Sequence, residues 1–201
     1  MRSLIRQAWT TTAGTDGPHR HGFGQAAAPV GGPPMAASAT RGLGYLSGMD
    51  DSVIAQLGVI ATGQGSRQER ARLAADMVRQ ATGARWVGIY TVTGAVVTCD
   101  GWSGPGAPAY PSFAVTEGLT AHAIRTSALA LSNDVSRDPR YLANQEDSGS
   151  ELIVPILADG RVAGMLDVES NRTGAFSGSS ILDYERLADA VRPLWDQPPR
   201  Q

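Results

Sequence analysis

The stretch GSELIVPILADGRVAGMLDVES, residues 149–170, constrains the fold more than any other part of the chain. Two apolar runs meet at Asp159-Gly160, a strong hairpin turn signal. The runs 151–158 and 161–169 are therefore expected as antiparallel strands whose side chains alternate between two faces. Val162, Gly164, Leu166 and Val168 fall on the face expected to meet helices, and Ala163, Met165, Asp167 and Glu169 on the other. Glu151, Asp167 and Glu169 stand at or within the strands. Either they are the solvated ends of a hairpin, or they look into a pocket, where a carboxylate needs a partner such as a bound cationic group.

Other segments supply the remaining elements. A helical period starts near Asp50, with Ile54, Leu57 and Ala61 on one face. A second helix carries a Ser66–Glu69 capping box, a stripe of Leu73, Met77, Val78 and Ala81, and Gly83 as its C-terminal cap. RWVGIYTV (85–92) and AVVTCD (95–100) read as paired strands, with Trp86, Gly88, Tyr90 and Val92 on one face. A short helix opens at Thr116, and a short strand spans 128–132. A last helix over about 178–195 buries Ile181, Tyr184, Leu187, Val191 and Leu194. Two long polar loops, 101–115 and 133–149, separate these elements. The order predicts an α+β fold: a largely antiparallel central sheet with helices on one face and ligand-covering loops on the other.

Residues 1–48 are rich in Gly, Ala and Pro and hold no apolar period, so they are expected as a disordered tail, with the folded domain over 49–196 and a short tail at 197–201. Met49 lies just before the first periodic segment and is a candidate true start. The tail holds four arginines and one aspartate; the remainder holds 13 arginines and 18 acids, and the chain has no lysine. An acidic body without a basic stripe argues against nucleic acid as a partner. No apolar run is long enough to cross a membrane and no secretory signal is evident, so a cytoplasmic location is expected. The single cysteine, Cys99, excludes an internal disulfide and a multi-cysteine metal site. His122 has no second histidine at metal spacing. No cofactor or metal is expected.

Four stretches together carry a family resemblance: WVGIY (86–90), NDVSRDPRYL (133–142), SELIVPI (150–156) and GMLDVES (164–170). On them, residues 50–196 resemble a GAF domain, a small-molecule-sensing relative of the PAS fold, and are most similar to its free methionine-(R)-sulfoxide reductase branch. That branch encloses a free amino acid between aromatic walls and carboxylates. The resemblance implies Trp86 and Tyr90 as wall, Glu151 and Asp167 as contacts for an ammonium group, and Asp134 as a loop contact. Trp86 and Tyr90 serve equally well as plain core residues.

The departure from the branch is chemical. Its cysteines align near Tyr110, Thr120 and Asn144, none of which is a thiol. Sulfoxide reduction by that route needs a nucleophilic thiolate and a resolving thiol. Cys99 lies on a strand beside Asp100, which suits a structural thiol. Haem ligation through His122 has no supporting motif, and the N-K-F-D-E string of cyclic-nucleotide-binding GAF domains is absent. Three readings follow: a sensor or regulatory module for a small molecule, with an amino acid or related metabolite as ligand; a reductase whose thiols are lost or relocated; or a bare homodimerisation module using the terminal helices.

Overall fold

The computed structural model describes residues 48–196. The expected tails lie outside the described residues, Gly48 apart. Helix α1 (Asp51–Thr62) starts where the Asp50 carboxylate accepts a hydrogen bond from the Ser52 amide at 2.8 Å. Helix α2 (Arg67–Thr82) opens on the expected Ser66–Glu69 capping box and closes on Gly83 in the left-handed region, φ 69°. The strands are β1 (Trp86–Thr93), β2 (Val96–Ser103), β3 (Ser112–Ala114), β4 (Ala130–Ser132), β5 (Ser150–Ala158) and β6 (Arg161–Ser170). They form one six-stranded sheet in the order β3-β2-β1-β6-β5-β4, with every neighbouring pair antiparallel. The β5–β6 turn has Asp159 and Gly160 at φ 51° and 72°, the geometry that a two-residue hairpin demands. Helices α3 (Gly118–Thr126) and α4 (Gly178–Val191) complete the set. No helix among the described residues is long and apolar enough to cross a membrane.

The sheet separates two apolar cores. On one side Val87, Ile89, Leu152, Val154, Leu166 and Val168 pack with α1, α2 and α4. On the other side Trp86, Tyr90, Val97, Ile153 and Met165 pack with Leu119 and Ala123 of α3. This helix therefore joins the two loops in covering the second face. Its start is one residue later than the sequence suggests, with Glu117 rather than Thr116 as the N-terminal flank. Strand β3 falls inside the stretch expected to be loop; three residues after Pro111 are too few to display a period.

The α2 stripe needs correction. The helix buries Ala71, Ala74, Ala75 and Val78, whereas Leu73 is 48% exposed and Ala81 is exposed. Close approach is the cause. A Cβ on Gly101 of β2 would stand 2.6 Å from the Ala71 carbonyl carbon and 2.8 Å from the Arg72 Cα, so only small residues fit between helix and strand. Ile54 and Ile181 are half-buried rather than central.

Two bulges shift the alternation. In β6 the register moves from Ile156↔Gly164 to Leu157↔Val162, leaving Ala163 unpaired. Val162 consequently packs on the α3 side, contrary to the simple period. In β2 the step from Ile89↔Gly101 to Tyr90↔Cys99 leaves Asp100 unpaired and aims it at the helices. There Asp100 meets Arg67 at 3.0 Å, Gln68 at 3.4 Å and the Thr91 hydroxyl, which also accepts a hydrogen bond from the Trp195 indole at 2.9 Å.

The close α2–β2 approach has a measurable consequence. Gly101→Ala is expected to lower unfolding free energy by about 3 kcal/mol, at the upper end of overpacking costs. Gly58→Ala, inside α1 with nothing within 4 Å of the new methyl, is expected to raise it by about 0.5–1 kcal/mol. Urea denaturation of both variants measures the contrast.

Candidate functional site

Register builds the site. Glu151 of β5 lies directly across from Glu169 of β6, while Asp167 pairs with Ile153 on one side and with Gly88 of β1 on the other. All three acids therefore project from the sheet face shared with Tyr90 and Met165. Gly88 leaves room for the rings beside it: a Cβ there would come within 2.6 Å of both the Trp86 and Tyr90 rings. A small cavity results, with about 20 Å³ of room for water-sized contents, enough for one or so. Its floor is Tyr90, Glu151 and Asp167. Its cover is Tyr110 and Phe113 from the first loop and β3, Gly118 to Thr120 at the start of α3, and Leu142 and Asn144 from the second loop.

The electrostatics are one-sided. One oxygen from each of Glu151, Asp167 and Glu169 lies within 4.8 Å of the other two, and all three residues are buried. Glu169 is well supplied: it accepts from Asn144 Nδ2 at 2.7 Å, from the Tyr141 hydroxyl at 3.4 Å and from the Ser148 hydroxyl. Glu151 Oε2 and Asp167 Oδ1 have no hydrogen-bond partner. Burial, then Glu169 and Asp138, pushes the Glu151 carboxyl well above its ordinary range. Burial, then Glu151 and Glu169, does the same to Asp167, and burial raises Glu169 against its three donors. Arg140 acts in the other direction on Glu151 but is the least of these causes, and its guanidinium is forked onto Asp138 at 2.9 and 2.6 Å. Burial and the neighbouring acids likewise hold the Tyr90 phenol neutral, well above its usual value.

Tyr90, Glu151 and Asp167 thus come together as cavity lining. Trp86 and Asp134 do not. The Trp86 ring is wholly buried beside Tyr90, centroids 6.4 Å apart, and its indole donates to the Gly106 carbonyl at 3.1 Å, pinning the first loop. Asp134 caps the short 3-10 turn Val135–Arg137 by accepting from the Ser136 amide at 3.2 Å and hydroxyl at 2.6 Å. His122 lies on the outer side of α3, with Nδ1 3.2 Å from Arg125 Nη2. Cys99 packs against the Tyr90 core, and burial foremost pushes its thiol up to about 12. Strand period alone puts Glu169 on this face, and its position across from Glu151 is the signal that joins it to the other two acids. Tyr110, Thr120 and Asn144 all line the cavity.

Comparison with known proteins agrees with this fold. The family model described as GAF domain matches residues 64–190. No curated protein matches. Among solved structures, the free methionine-R-sulfoxide reductase of Neisseria meningitidis, in complex with its substrate, is 23% identical with a TM-score of 0.67, over 75% of this chain and 90% of that one. The type II free methionine-R-sulfoxide reductase of Thermoplasma acidophilum is 23% identical with a TM-score of 0.60, over 69% and 94%. The GAF domain of an Acinetobacter phosphoenolpyruvate-protein phosphotransferase is 16% identical with a TM-score of 0.63, over 71% and 90%.

The buried acids set a pH dependence. Their folded pKa values lie above the unfolded ones, so the fold prefers them protonated, and their contribution to stability falls as pH rises from the ordinary carboxylate range through the raised values. Asp138, lowered by Arg140, has the opposite sign and loses its contribution in acid below that range. The double variant Glu151→Gln, Asp167→Asn is expected to flatten the decline above pH 5 and to be about 1–3 kcal/mol more stable at pH 8, measured by thermal unfolding across pH.

Proposed function

The chain belongs to the GAF domain family, and from that premise we propose that it binds a small cationic or zwitterionic metabolite, an amino acid or a derivative, and serves as a sensor or regulatory module. The observation that carries the reading is the pair of partnerless buried oxygens among the described residues, Glu151 Oε2 and Asp167 Oδ1, on two residues that line a cavity walled by aromatic rings. A buried carboxylate without a partner is costly, and an ammonium group supplies both charge and N–H donors. The Tyr90 and Phe113 rings, centroids 5.8 Å apart, offer faces to a cation or a soft sulfur group. A ligand of amino-acid size exceeds the cavity, so binding includes outward movement of the covering loops.

The screen that tests this is thermal unfolding of the full chain with amino acids, their sulfoxides and nucleotides. At one hundred times its Kd a ligand adds about 2.7 kcal/mol. An amino acid or derivative is expected to raise the melting temperature, and Asp167→Asn to abolish the shift. Stabilisation by nucleotides alone, or a shift unaffected by Asp167→Asn, contradicts the reading.

The reductase alternative rests on the two reductase folds above. It lacks a nucleophile: Cys99, the single cysteine, is held as a neutral thiol, and Tyr110, Thr120 and Asn144 occupy the cavity. A thioredoxin-coupled assay with free methionine-(R)-sulfoxide is expected to show no turnover above a protein-free control. Turnover that Cys99→Ser removes would reinstate the enzyme.

A further inference from the structure

Three buried carboxyl groups meet on one face of the sheet, and two of them line the cavity. Glu151 and Glu169 are direct cross-strand neighbours, an arrangement that repels when both ionise, and Asp167 stands diagonal to Glu151 on the same face. No Arg or His lines the cavity, and the chain has no Lys. One oxygen from each acid falls within 4.8 Å of the others. Oxygens so placed need only a small side-chain adjustment, if any, to meet one ion at the ~2.3–2.6 Å typical of calcium coordination. We propose that Glu151, Asp167 and Glu169 bind a single hard divalent cation, of the calcium or manganese kind.

Two further observations support the site. Glu151 Oε2 and Asp167 Oδ1, on residues 6% and 7% exposed, have no hydrogen-bond partner among the described residues, and both residues line the same small space. Glu169 is oriented by Asn144, Tyr141 and Ser148, which hold a carboxylate in place for a ligand as well as they satisfy one without it. The donor set is oxygen throughout, which selects hard cations over zinc or copper. The space of about 20 Å³ suits an ion with a water better than an organic molecule. The site shares Glu151 and Asp167 with the cavity read above as a ligand pocket, and the cation goes beyond that reading: it competes with an ammonium group for those two acids.

Electron paramagnetic resonance tests this directly, because free aqueous Mn²⁺ loses its sharp signal when bound. Full-length protein stripped with a chelator is titrated with Mn²⁺. One bound ion per chain is expected, displaced by excess Ca²⁺, with uptake lost in Asp167→Asn and in Glu151→Gln and retained in Cys99→Ser. Circular dichroism identifies which variants fold, and either amide variant suffices. A signal equal to that of buffer alone overturns the proposal. So does uptake that persists in a folded amide variant, as capture by His19 or His21 would. A metabolite found by thermal screening without Mn²⁺ uptake refutes the cation and leaves the ligand reading standing; uptake without any metabolite establishes the cation on its own.

Discussion

The register of β6 between β5 and β1 is the constraint on which the rest depends. Successive residues of that strand serve different chemistries: Leu166 and Val168 close the core beneath the helices, while Met165, Asp167 and Glu169 face α3 and the loops. A slip of one residue would bury two acids among α1, α2 and α4 and expose the leucine. The two-residue Asp159-Gly160 turn fixes one side of this register, and the long-range pairing with β1 fixes the other.

Much of this was legible in order and period. The capping box, the left-handed glycines, the hairpin and the two-faced β1 depend on residues close in sequence, whose preferences act locally. What escaped depends on distance between elements. That α2 would bury alanines and expose Leu73 follows from the approach of Gly101, which no helical period encodes. Val162 changes sides because a bulge at Ala163 interrupts the alternation. Likewise Trp86 has its neighbour on the correct face, yet Tyr90 alone of the two lines the cavity, because the Trp86 indole is committed to Gly106. Asp134 lies in a loop whose path the strands do not determine, and its carboxylate is spent on the Ser136 amide and hydroxyl.

The acids show how a site opposes the fold that carries it. Burial without partners favours their protonated forms, and the two large apolar cores bear that cost. The same cavity holds Tyr110, Thr120 and Asn144, so its polar groups can donate and accept hydrogen bonds but supply no thiolate. The carboxylates stand on strands, whereas Tyr110 and Asn144 stand on loops and Thr120 on α3, so the two sets occupy independent positions of one GAF framework.

The Asp100 bulge joins the two sides of the sheet. Tyr90 and Thr91 are consecutive residues of β1; one ring lines the cavity, and the other hydroxyl lies between Asp100 and the Trp195 indole. The Trp195 ring in turn covers Gly164 of β6, where a Cβ would run into the ring itself. A displacement of the β1 backbone at the cavity is therefore also a displacement of the seat of that tryptophan. The wall of the cavity and the seat of the Trp195 indole thus stand one residue apart on opposite faces of a single strand.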